Sequence, residues 1–158
     1  MVNKNKDIIG KVVAVCSSLK KGTRKQVVPE IELKTNFGVV GDAHASSTWH
    51  RQVSLLALES IEKMRQQGFK VNPGDFAENI TCEGIVLPAL PIGTKIQVGK
   101  DVLLRISQIG KECHTGCAVF KQAGVCVMPK EGIFAEVLQG GKVKADDEIR
   151  LVGEDAKA

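Results

Sequence analysis

Thr94-Lys95-Ile96-Gln97-Val98-Gly99-Lys100-Asp101-Val102-Leu103-Leu104-Arg105-Ile106-Ser107-Gln108-Ile109 reads as two strands joined by a Gly-Lys-Asp turn. Runs rich in Val and Ile on either side of a short glycine-containing connection are a hairpin signature. In the second strand Val102, Leu104, Ile106 and Gln108 alternate with Leu103, Arg105, Ser107 and Ile109. Polarity alternates only imperfectly, which predicts partial burial on both faces. A strand of that kind belongs in a sheet that is covered or closed on itself.

Reading outward, further short strands are predicted on both sides. Residues 8–16 form a first strand, 27–33 a second with Val28 and Pro29 near its start, and 148–152 a last one. Residues 37–41 are a short apolar segment ending in Gly41-Asp42, and 77–81 lead into another short strand. Asn72-Pro73-Gly74-Asp75 is a turn, and Pro88 and Pro91 bracket a loop. Helices are fewer. Residues 54–67 give the clearest one, with Leu55, Leu58, Ile61 and Met64 on one stripe beside Leu56. Ser54 suits its N-cap and Gly68 its stop. Residues 113–122 and 132–138 suggest two more, the latter stopped by Gly140-Gly141. Strands dominate, so the expected fold class is mainly β: a closed or nearly closed β-barrel with a few helical excursions.

Composition agrees. The 158 residues suit one domain, with a core over about 8–152 and frayed ends. Five Phe, one Trp and no Tyr leave the core to Val, Ile and Leu, and 16 Gly supply turns. The net charge of +4 is mild and excludes no small anionic ligand, but no block is basic enough to demand nucleic acid. Lys20, Lys21, Arg24 and Lys25 are read as a solvated loop. No apolar run approaches the ~18 residues of a membrane span. The polar start and the odd set of cysteines, Cys16, Cys82, Cys113, Cys117 and Cys126, predict a cytoplasmic chain with reduced thiols.

Three constellations carry chemistry. The first is Gly110-Lys111-Glu112-Cys113-His114-Thr115-Gly116-Cys117, directly after a predicted strand. Lys111 and His114 favour a thiolate at Cys113, the form that attacks and that binds soft metals, while Glu112 opposes it. Other readings of the segment are a buried structural cysteine, a Cys113–Cys117 redox pair, and zinc held with His114 and Cys126, for which the spacing is poor. The second is Gly41-Asp42-Ala43-His44 with Trp49-His50-Arg51-Gln52. Arg51 there suits an anion, unless Asp42 merely caps a turn and Arg51 pairs with an acid. The third is Pro73 to Asn79, whose Glu78 and Asn79 suit either a heterocycle edge or a satisfied turn. No phosphate loop, dinucleotide fingerprint, nucleophile elbow or HExxH occurs.

In order along the chain, Gly41-Asp42-Ala43-His44, Arg51-Gln52-Val53-Ser54-Leu55-Leu56, Gly74-Asp75-Phe76-Ala77-Glu78-Asn79-Ile80, Leu90-Pro91-Ile92-Gly93-Thr94 and Gln108-Ile109-Gly110-Lys111-Glu112-Cys113 together resemble the molybdenum-cofactor sulfurase C-terminal (MOSC) family. Met128 to Ala135 resembles its small stand-alone bacterial members. The resemblance implies a β-barrel whose cysteine, here Cys113, ligates molybdenum or carries sulfane sulfur for molybdopterin. It makes Arg51, Asn79 and His44 pocket candidates beside Lys111, with His114 relaying a proton. Many relatives carry Arg or Pro shortly before that cysteine, where this chain has Gly110-Lys111-Glu112. The pyridoxal-phosphate desulfurase domain of eukaryotic sulfurases has no counterpart here, so pyridoxal phosphate is not expected. A separate sulfur donor or reductase is expected as partner, exposed strand edges suit a homodimer, and no membrane or nucleic-acid partner is expected. Cofactor sulfuration or delivery, reduction of N-hydroxylated compounds, and a non-catalytic adaptor with a structural cysteine remain the alternatives.

Overall fold

The computed structural model describes residues 8–18, 24–43, 45–110 and 131–154. Strand β1 (Ile8–Ser17) is followed by β2 (Gln26–Val28), β3 (Ile31–Lys34), β4 (Gly38–Val39) and β5 (Val53–Ala57). Helix α1 (Leu58–Gln66) then leads to β6 (Ile80–Glu83), a 3-10 turn (Leu87–Ala89), β7 (Thr94–Val98), β8 (Val102–Ile109), β9 (Ile133–Gln139), β10 (Gly141–Val143) and β11 (Glu148–Glu154).

Seven strands close a barrel in the order β11-β7-β8-β9-β5-β6-β1, with β1 pairing back onto β11. Closure leaves the barrel itself no free edge. Strand β2 adds to β1, and β10-β3-β4 form a separate small sheet. The β7–β8 hairpin forms as predicted, with Val98 opposite Val102. Val102, Leu104 and Ile106 fill the barrel, and Leu103, Arg105 and Ser107 are partly buried outside it.

Three expectations are corrected. The predicted second strand is two strands in different sheets, because Pro29 interrupts the run. The first four residues of the predicted 54–67 helix belong instead to β5, parallel to β6 and antiparallel to β9. Both faces of β5 are buried: Val53, Leu55 and Ala57 point into the barrel, and Leu56 packs outside with Ile61, Met64, Val71, Phe76 and Phe134. Ser54 therefore caps nothing; Ala57 holds the N-cap position and makes no side-chain cap bond. The predicted C-terminal stop survives, since Gly68 adopts φ +97° and donates its N–H to the Arg65 carbonyl. Finally, 132–138 is strand β9 and not a helix. Ile133, Ala135 and Val137 alternate into the barrel, and β8 and β5 flank the strand on both sides. The predicted 113–122 helix and the chain ends lie outside the described residues.

Candidate functional site

Lys25 and Asp42 form a buried ion pair behind the 40s loop. The Lys25 ammonium lies 2.9 and 3.1 Å from the two Asp42 carboxylate oxygens, and both side chains are fully buried. Asp42 Oδ1 also accepts the Ser18 N–H at 3.0 Å. Lys25 is thus no part of a solvated cluster, a correction to the loop reading; Lys20 and Lys21 lie outside the described residues. The ion pair ties the end of β1, the entry to β2 and the loop after β4.

The turn at 72–79 seats beside this pair. Gly74 adopts φ +90°, and a Cβ there would meet the Lys25 carbonyl oxygen at 2.3 Å. Only glycine permits both the conformation and the approach. The Gly74 N–H donates to Glu78 Oε2 at 3.0 Å, and the Thr81 hydroxyl donates to the same oxygen at 2.6 Å. Glu78 is wholly buried and its Oε1 has no partner. Burial therefore raises its pKa above the ordinary carboxyl value of 4.5, the bonds to Gly74 and Thr81 opposing this only in part. The native state keeps this proton to higher pH than the unfolded chain. The contribution of Glu78 is accordingly most favourable below pH 4.5 and is lost as pH rises through the raised native value. Glu78→Gln is expected to flatten that slope, measured as the urea midpoint against pH.

Asn79 is fully buried and its amide is committed. Oδ1 accepts the Ser54 N–H at 3.1 Å and the Ser54 hydroxyl at 3.2 Å, and Nδ2 donates to the Cys16 carbonyl at 3.2 Å. It splices β5, β6 and β1 together. Asn79→Ala would strand a buried N–H and a buried carbonyl, so an equilibrium-unfolding loss of about 2–4 kcal/mol is expected.

Two of the five thiols are described, Cys16 and Cys82, and both are free and buried. Burial, then the nearby charge of Glu78, pushes Cys16 up to about 12; burial, then Glu59, pushes Cys82 up to about 12. Neither supplies a thiolate near neutral pH.

Arg51 has a different environment. Its guanidinium carbon sits 3.8 Å over the Trp49 ring and 5.4 Å from the Phe134 ring centroid. Its buried Nε has no hydrogen-bond partner, and no ion pair to Arg51 occurs among the described residues. The neighbouring His50 Nδ1 is likewise buried and unpartnered, while the His50 carbonyl accepts the Ser107 hydroxyl at 2.8 Å. Trp49 is half exposed and meets the His50 ring edge-on at 5.5 Å. Below them, Gln52 anchors the loop: Oε1 accepts the Val137 N–H at 2.9 Å, and Nε2 donates to Asn36 Oδ1 and the Ser46 carbonyl. A cation stacked near aromatic rings, with a buried unused donor and no paired acid among the described residues, fits an anionic group.

The connection that carries Cys113 follows β8. Gly110 donates its N–H to the Gly132 carbonyl at 2.7 Å, pinching the two ends of the 111–130 stretch together where β8 meets β9. Phe134, two residues past Gly132, is the ring beneath Arg51. Lys111, Cys113 and His114, with Cys117 and Cys126, lie outside the described residues, as does His44. Among the described residues no group of three or more His, Cys, Asp or Glu gathers to hold a metal ion. No described helix is long and apolar enough to cross a membrane. Of the sequence candidates, then, the structure sets Arg51 against Trp49 and Phe134 and Asn79 in the core. Reading the sequence alone missed Phe134 as a ring beneath Arg51, because 132–138 had been given to a helix.

The MOSC domain model matches residues 34–150. That interval spans the 40s loop, Arg51, the 72–79 turn and the Cys113 connection. The chain belongs to the MOSC domain family. Solved structures carry the same fold. The YuaD protein of Bacillus subtilis superposes with a TM-score of 0.72 at 16% identity, covering 90% of this chain and 94% of that one. YiiM from Escherichia coli gives 0.64 at 22% identity over 92% and 71%. YiiM from Geobacillus stearothermophilus gives 0.63 at 19% identity over 92% and 74%. No curated protein matches the chain. The mainly β barrel expected of a MOSC domain is therefore the architecture found.

Proposed function

We propose that this MOSC domain binds a molybdenum–pterin cofactor through the Cys113 thiolate, with Arg51 and Lys111 offsetting the negative charge of its phosphate or oxo groups. The observation that supports the proposal is Arg51, stacked on Trp49 near Phe134 and without an ion-pair partner among the described residues. Its stacking fixes the guanidinium before any ligand arrives, so little further ordering is needed on binding. When bound, the cofactor supplies two-electron chemistry at the metal or accepts sulfur there. Cys113 meets it as a ligand or as a carrier of sulfane sulfur, His114 moves a proton, and His44 is a further candidate contact. Asn79 acts at one remove by holding β5, and with it the Arg51 loop, against β1 and β6.

Purification from a cofactor-producing host tests the reading: molybdenum and pterin should accompany the parent chain. Arg51→Ala should weaken cofactor retention about tenfold to a hundredfold, the scale of one lost charge-assisted hydrogen bond. Arg51→Lys should recover only part, because an ammonium keeps the charge without the planar fork. Equal retention by all three chains would exclude Arg51 from the site. Reduction of an N-hydroxylamino-purine with a supplied electron donor distinguishes a reductase from a carrier.

A further inference from the structure

A groove of about 620 Å³ lies between α1 and the loop after β6, apart from the Arg51 wall. Its walls are apolar: Ala57, Ile85, Leu87 and Pro88, with Val86 at 74% exposure. So open a valine beside buried Ile85 and Leu87 marks apolar surface with no protein cover among the described residues. The volume suits a molecule of one or two fused rings.

Its rim is charged unlike the rest of the chain. Among the described residues the titratable lining groups are Glu59, Glu131 and Lys63, a net charge of −1 from two acids and one base, in a chain of net charge +4. Glu131 is held in place, accepting the Ser60 hydroxyl at 2.6 Å and the Lys63 ammonium at 2.7 Å. The Glu59 carboxylate accepts the Gly84 N–H at 2.9 Å, which turns it across the groove mouth.

Position links the groove to chemistry. Ala57 ends β5, Gly84 follows β6, and Glu131 directly precedes Gly132, the partner of Gly110. The groove therefore opens at the barrel end from which the Cys113 connection leaves and to which it returns.

We propose that this groove binds a flat, apolar small molecule through its faces, with a cationic or hydrogen-bond-donating edge turned to Glu59 and Glu131.

The test uses the full chain without cofactor and two probes of the same shape, benzamidinium and benzoate, followed through the methyl NMR signals of Ile85, Val86 and Leu87. Benzamidinium should shift these methyls and bind about tenfold tighter than benzoate, and salt should narrow the gap. Glu59→Gln should shrink the preference about threefold, the scale of one exposed charge. Should Glu59→Gln fold poorly, the salt dependence in the parent carries the test. Undisturbed groove methyls, or equal affinity for the two probes at low salt, would overturn the proposal. Molybdenum content reports on the cofactor reading and these methyl shifts on the groove, so failure of one and failure of the other are separately visible.

Discussion

Lys25→Ala is expected to destabilise the barrel by about 3–5 kcal/mol, the range for stripping one partner from a buried ion pair. Both side chains of the Lys25–Asp42 pair are fully buried, so the remaining carboxylate would have no water to replace the ammonium. Asp42 would retain the Ser18 N–H, which satisfies one oxygen and does not cancel the charge. Nearby Glu78 would offer no relief, being a buried acid itself. The pair also closes the 40s loop against β1, so the damage reaches the loop that ends in Arg51. Lys25→Met combined with Asp42→Leu should be far less harmful than the sum of the single changes, because it removes both charges and keeps the volume. Urea unfolding of the parent, the two single variants and the double variant measures this. A Lys25→Ala chain within about 1 kcal/mol of the parent, the worth of an exposed pair, would contradict the burial.

How much of this was legible depends on where the deciding force acts. The β7–β8 hairpin was readable because turn and alternation are local, and Gly68 was readable because a helix stop needs only its own backbone freedom. Strand β5 was not. Leu55, Leu56, Leu58, Ile61 and Met64 satisfy a helical stripe, and only barrel closure reveals that residues 53–57 are buried on both faces. Strand β9 misled in the same way: Ala135, Glu136 and Leu138 are good helix formers, overridden by pairing with β8 and β5. At the site, Arg51 and the order of the family blocks were visible in sequence. That no described acid pairs with Arg51 was not, since a missing partner is a tertiary fact. Lys25 looked like one more basic loop residue because its acid lies 17 residues away. Asn79 could be singled out but not assigned a role, because Ser54 and Cys16, its partners, are distant in the chain.

Cys113→Ser should lower cofactor affinity on the order of a hundredfold or more, since even partners outside a metal's ligand set are worth about ten- to a hundredfold. Serine keeps the shape nearly unchanged but replaces a soft, readily ionised sulfur with a hard hydroxyl that stays protonated near neutrality. Cys16 and Cys82 cannot take over, because burial holds both near 12. The chain therefore contains its own internal controls: Cys117→Ser and Cys126→Ser should keep the cofactor. The decisive measurement is bound molybdenum per chain, by elemental analysis, in parent and Cys113→Ser proteins purified side by side from a cofactor-producing host. A parent that carries the metal and a serine variant that has lost it is the predicted result. A serine variant as rich in molybdenum as its parent would contradict the assignment of Cys113 and leave the barrel as a binding module with a structural cysteine.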